Sequence, residues 1–123
     1  MTLADIIRKA EAKAKRESLE LALLQQIKAA KLTGGMVRQH APFADVGYAF
    51  DFAWPALDPV ILVEVQGGIW SGGAHARGAG ITRDIVKHNR AALGGYLLIQ
   101  ATGEHVKSGQ ALAWIRQAMG QEA

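Results

Sequence analysis

One segment limits the fold more than any other: Val60-Ile61-Leu62-Val63-Glu64-Val65. Five of its six residues are apolar and four are β-branched, so it reads as a strand. A strand with no polar alternation is covered on both faces, which is the habit of a central strand with helices packed above and below. Gln66-Gly67-Gly68 closes it. One such strand in 123 residues points to a single α/β domain with a sizeable core.

The rest of the chain can be placed around it. Leu3, Ile6, Ile7, Ala10 and Ala14, then Leu21, Leu24 and Ile27, follow helical spacing from residue 3 to about 31. Ser18 can cap a helix with Glu20 in its first turn, so the pattern predicts two helices, or one with a joint near Arg16–Ser18. On this division residues 1–17 are a basic helical extension and 18–123 one domain. Thr33-Gly34-Gly35 ends the segment. Met36 to His40 is a short strand before Pro42. In Gly47 to Ala53, Tyr48, Phe50 and Phe52 alternate with other residues and predict an aromatic face, with Asp51 on the opposite one. Trp54-Pro55 and Asp58-Pro59 mark a turn. Six glycines within 67–80 predict a long loop. Thr82 is expected to cap a helix to Leu93, Tyr96 to Gln100 is a strand, and Ser108 opens a last helix through Met119. The expected fold is a mixed α/β sheet: a meander of three strands, then a crossover helix to a fourth.

Charge enters at this point. The net charge of +3 and isoelectric point near 9.5 are compatible with a nucleic-acid partner. The absence of cysteine removes disulfides, thiolate metal sites and cysteine nucleophiles. No apolar stretch approaches the ~20 residues of a membrane helix, and the N-terminus, charged from Asp5, lacks a leader's apolar run. The expectation is a cytoplasmic protein, in a bacterium or phage-infected cell, with no membrane and no organic cofactor.

Glu64 is the residue that asks for chemistry. A carboxylate in an otherwise apolar strand is costly unless it is paired, reaches water or binds a metal. Asp51 lies on the preceding strand, and antiparallel neighbours can bring both acids to one side. Two such acids repel each other, and a hard divalent ion between them removes the repulsion. Lys87, with Asp84 and His88 within about a turn of the same helix, offers an amine to a phosphate or an attacking water; alternatively it is a solvated helix lysine. Trp54 and Trp70 flank the acids and either stack on a base or pack. Arg8, Lys9, Lys13, Lys15 and Arg16 either lie along DNA or form a solvated face interleaved with Asp5, Glu11 and Glu17.

Together, Phe50-Asp51-Phe52-Ala53-Trp54-Pro55, Val63-Glu64-Val65-Gln66-Gly67-Gly68, His75, Arg77-Gly78, Asp84, Lys87 and Asn89 resemble small phage-type endonucleases of the PD-(D/E)XK superfamily, in its very-short-patch-repair-like or resolvase-like branch. The resemblance covers residues 18 to about 117. It implies a restriction-endonuclease-like αβββαβ core and a magnesium-dependent endodeoxyribonuclease, with manganese able to substitute. By the resemblance Asp51 and Glu64 are metal ligands, joined by the Val65 carbonyl. Glu20 is the first-helix acid, with Glu17 as the alternative. Gln66 occupies the place where the motif usually carries lysine, and Lys87 on the following helix is its replacement. His75 and Arg77 would touch phosphate, with Lys13, Arg16 and Trp70 on nucleic acid. The implied substrate is double-stranded or branched DNA, such as a Holliday junction, cut by a homodimer in phage-type recombination or repair. The other reading of Gln66 is a non-catalytic nucleic-acid-binding protein on a degenerate nuclease fold.

Overall fold

The computed structural model describes residues 1–66 and 79–121. The chain runs α1 (Leu3–Ala29), β1 (Val37–His40), β2 (Phe50–Trp54), β3 (Ile61–Gln66), α2 (Ala79–Leu93), β4 (Leu97–Thr102), α3 (Gly103–Ser108) and α4 (Gln110–Ala118). Among the described residues the sheet has four strands, in the order β1-β2-β3-β4. β1, β2 and β3 form an antiparallel meander, and β4 joins β3 in parallel through the crossover helix α2. The mixed α/β sheet expected from the sequence is the one observed. Among the described residues, no helix is long and apolar enough to cross a membrane.

β3 is the interior strand anticipated from its composition. Ile61, Leu62, Val63 and Val65 are buried, on alternating faces. Ile61, Val63 and Val65 join Phe52 and Trp54 in a core with Leu19, Leu23, Leu24 and Ile27 of α1, Val106 of α3 and Ile115 of α4. Leu62 faces a smaller cluster with Phe50, Ala53 and Ala91 of α2. Trp54 belongs to the larger core: it is buried, and its indole Nε1–H donates to the Leu32 carbonyl at 2.9 Å, so it packs and is closed to a base.

Several expectations are corrected. α1 is one helix of 27 residues with no joint near Ser18, capped by Thr2, whose side chain accepts from Asp5 N–H. Ser18 is an interior residue because the strong helix formers on both sides outweigh a local capping preference. Glu20 therefore sits mid-helix and not in a first turn. α1 stops at Ala29, ahead of the glycines: Lys31 takes the left-handed conformation (φ 60) and Leu32 N–H returns to the Ile27 carbonyl. Phe50 and Phe52 do not share a face. Phe52 enters the α1-side core while Phe50 joins Ala53 and Leu62 on the α2 side, so strict alternation fails at the start of β2. α2 begins at Ala79, which puts Thr82 inside it instead of at its cap. A short α3 precedes the last helix. Gly109 (φ 84) makes the left-handed turn between them, and the Ser108 hydroxyl accepts the first N–H of α4, from Gln110.

Candidate active site

Register determines which side chains meet. β2 and β3 pair through Phe52–Val63, Ala53–Leu62 and Trp54–Ile61. One step before the first of these pairs, next to Phe52–Val63, Asp51 and Glu64 stand abreast. There the Asp51 side chain enters the space between the strands: Oδ2 accepts the Val65 backbone N–H at 2.7 Å. Asp51 is buried, 6% exposed. Its other oxygen, Oδ1, accepts from Gln39 Nε2 at 3.2 Å.

Glu20 reaches the same place from α1. It is the one acidic residue on the buried side of that helix, 5% exposed. Its Oε1 accepts from the same Gln39 amide at 2.8 Å. Gln39 thus ties two carboxylates together. It lies between the pairs Arg38–Phe52 and His40–Phe50, abreast of Asp51. Its backbone is left-handed (φ 50), a conformation that costs a non-glycine residue about 1 kcal/mol or more. The residue itself is exposed, so core packing does not impose that conformation. The two hydrogen bonds of its amide are what the unusual backbone delivers.

Lys87 completes the set from the α2 side. Its ammonium forms an ion pair with Glu64 Oε2, donates to the Ala49 carbonyl at 2.7 Å and stands 4.6 Å from the centre of the Phe50 ring. Lys87 and Glu64 side chains are 15% and 12% exposed. Among the described residues, Glu64 Oε2 accepts no well-aligned hydrogen bond despite the ammonium beside it. His88 Nε2, also without a hydrogen-bond partner among the described residues, lies 4.0 Å from the same oxygen.

The electrostatics follow from this crowding. Burial, and then the neighbouring Asp51, push Glu64 up to about 7 against the opposing pull of Lys87. Burial and Asp51 likewise push Glu20 up to about 7, with Arg38 and Arg16 pulling the other way. Burial holds His88 below its usual value, partly countered by Asp84. All three carboxylates, Gln39 and Lys87 line one open cleft of about 740 Å³.

Glu20, Asp51, Glu64 and Lys87 are therefore brought together, as the sequence led us to expect. Gln66 and Val65 border the same cleft. The Gln66 amide donates to Gln100 Oε1 at a long 3.4 Å. The Val65 side chain is core, and its N–H serves Asp51. Arg16 lies on the cleft wall. Lys13 is exposed outside that wall and 3.9 Å from Glu17. Trp70, His75 and Arg77 lie outside the described residues. The sequence reading missed Gln39 and passed over His88. Only the pairing of β1 with β2 would have singled out position 39, by setting it opposite Asp51.

The donor set suits a hard divalent cation in type: two adjacent carboxylates that repel each other, one bearing a buried, poorly satisfied oxygen. Among the described residues, no three acidic or histidine side chains stand close enough to hold one ion by themselves. A cation here would rest on Asp51 and Glu64, with backbone oxygen and water completing its shell. No family model, curated protein or solved structure matches the chain.

Proposed function

We propose that this protein is a divalent-metal-dependent endonuclease on a PD-(D/E)XK-type αβββαβ core, hydrolysing phosphodiester bonds in DNA. The observation that carries the reading is the meeting of Asp51 and Glu64 from adjacent strands with Lys87 from the crossover helix, beside a third acid from α1. Asp51, Glu64 and the Val65 carbonyl would hold magnesium, or manganese in its place. The chemistry a divalent ion held there would supply is Lewis-acid polarisation of a phosphoryl oxygen and of a water.

The chain's own groups have separate tasks. Lys87, anchored on the Ala49 carbonyl, offsets negative charge at the scissile phosphate and orients the incoming water. Gln39 fixes the rotamers of Asp51 and Glu20. Glu20 has Oε1 committed to Gln39 and a carboxyl near 7, so it is poised to accept a proton at Oε2 at neutral pH. A domain this small has little surface for reading a long base sequence, which favours selection by DNA structure: branches, junctions or damage. Resolution of a four-way junction would require two copies acting as a symmetric pair.

The test is a cleavage panel of linear, nicked, flapped and four-way DNA, and RNA, with magnesium, manganese or chelator. We expect metal-dependent cleavage of at least one DNA. Glu64→Gln and Lys87→Ala should each lower it by at least roughly a hundredfold. Metal-independent activity, or full activity in both variants, would remove this mechanism. Tight DNA binding with no cleavage under any metal would favour a degenerate, non-catalytic nuclease fold, the reading that Gln66 in the motif position supports.

A further inference from the structure

One side of α1 changes character along its length. From Leu19 onward this side of the helix packs on the sheet: Leu23 and Ile27 are fully buried, and Leu19, Glu20 and Leu24 nearly so. Before Leu19 every residue is exposed except the half-buried Asp5. Counting back from Glu20 by steps of four, three and four, the helical period places Arg16, Lys13 and Lys9 on that same side. A helix that has cleared its core needs only a soluble side there. This one presents three cations in line. Glu11 projects from the opposite side, and Glu17 lies at the margin, 3.9 Å from Lys13. The line starts at the cleft itself, since Arg16 is on its wall and acts on Glu20.

A second exposed stripe, Leu3, Ile7, Ala10, Ala14 and Leu21, has the spacing of a coiled-coil seam. It is flanked by Glu11 on one side and Lys13 on the other, and Glu17 falls within it at the position between Ala14 and Leu21. A carboxylate within the seam disfavours self-pairing there, and the three aligned cations on the neighbouring side favour a polyanion.

Resting on the nuclease reading, we infer that Lys9, Lys13 and Arg16 form a phosphate track carrying one strand of a duplex away from the cleft. Lys9 is eleven residues from Glu20, about 16 Å along the helix. At about 3.4 Å per step of one strand, that spans roughly five base pairs beyond the scissile phosphate. The substrate is then a duplex arm of at least that length on the α1 side, not an isolated nucleotide or a short single strand.

The test measures the salt dependence of binding of the full chain to a 30-base-pair duplex in the presence of chelator. Three exposed phosphate contacts contribute a slope of about 2 to 3 in log K against log salt. The triple variant Lys9→Ala, Lys13→Ala, Arg16→Ala should lose that much. A charge-matched control, Lys15→Ala, Lys28→Ala, Lys107→Ala, should lose less than about one. Equal losses in both variants, or an unchanged slope in the first, would overturn the track. So would a first variant that binds DNA normally but changes sedimentation, which would assign this side to a protein partner. Cleavage by the wild-type protein separates the two proposals. If it cuts DNA and the slope does not move, the track alone fails; if it neither binds nor cuts any DNA, the nuclease reading fails with it.

Discussion

The two sides of the sheet are held by different forces. On the α1 side, Leu19, Leu23, Leu24 and Ile27 pack with the inward residues of β2 and β3 and with α3 and α4 in one continuous apolar core. On the α2 side the cluster is small. Ala91 is the fully buried residue that the described part of α2 contributes, while Ile81, Ile85 and Val86 are about half exposed. What attaches α2 is largely cationic. Lys87 binds Glu64 and the Ala49 carbonyl, and Arg90 forms a two-pronged pair with Asp45 at 2.6 and 2.8 Å while lying over the Phe43 ring. Apolar burial is insensitive to protonation and to charge screening, whereas these contacts are not. The site therefore takes Glu20 from a rigid wall and Lys87 from a wall whose docking depends on the charge of the site's own acid.

The strongest challenge to that contrast is Leu23→Ala. It should cost roughly 2–5 kcal/mol of global stability, as for a fully buried core truncation. Native-state hydrogen exchange on the wild type should show the α2 amides opening at lower free energy than those of residues 23–27. Equal protection of the two helices would dissolve the comparison.

Next comes pH. Glu64 has a folded-state value near 7 against an ordinary 4.5, and Glu20 moves the same way. The folded protein holds these protons more tightly than the unfolded chain. The resulting stability is complete below about 4.5 and is lost as pH rises through about 7, up to roughly 3 kcal/mol for Glu64. In chelator, the melting temperature should fall between pH 5 and 8. Glu64→Gln should flatten that fall, and magnesium at pH 8 should reverse part of it in the wild type. A melting temperature flat across this range would show that burial and the neighbouring Asp51 do not hold these carboxyls above their ordinary value.

The smallest expected effect sharpens the α1 side. Gln39→Leu removes both amide hydrogen bonds and should cost about 1 kcal/mol in stability. It should also weaken manganese binding about tenfold, read by thermal shift during metal titration. Wild-type affinity in this variant would demote Gln39 to a surface residue.

Much of this arrangement was legible in the chain. The apolar run of β3 and the turn signals around it gave the element order. An acid embedded in that run, with a second on the preceding strand, gave the centre of the site. The missing parts are those that need non-local information. Period-two counting placed Phe50 and Phe52 together because it cannot register a local break in alternation. Ser18 has the side chain of a cap, but the helix on either side overrode it. Gln39 is an ordinary polar residue until β1 is laid against β2 and its backbone turns left-handed. Lys87 was found because helical spacing is robust even where the helix start was misplaced by a few residues.

The unbroken backbone ladder of α1 has a mechanical meaning. A helix of 27 residues clamped along its last three turns is a cantilever, about 40 Å long. Glu20 sits where the free arm enters its mounting. A load applied near Lys9 would be transmitted as leverage at that fulcrum, displacing a carboxylate whose partners, Gln39 and Asp51, belong to the fixed sheet.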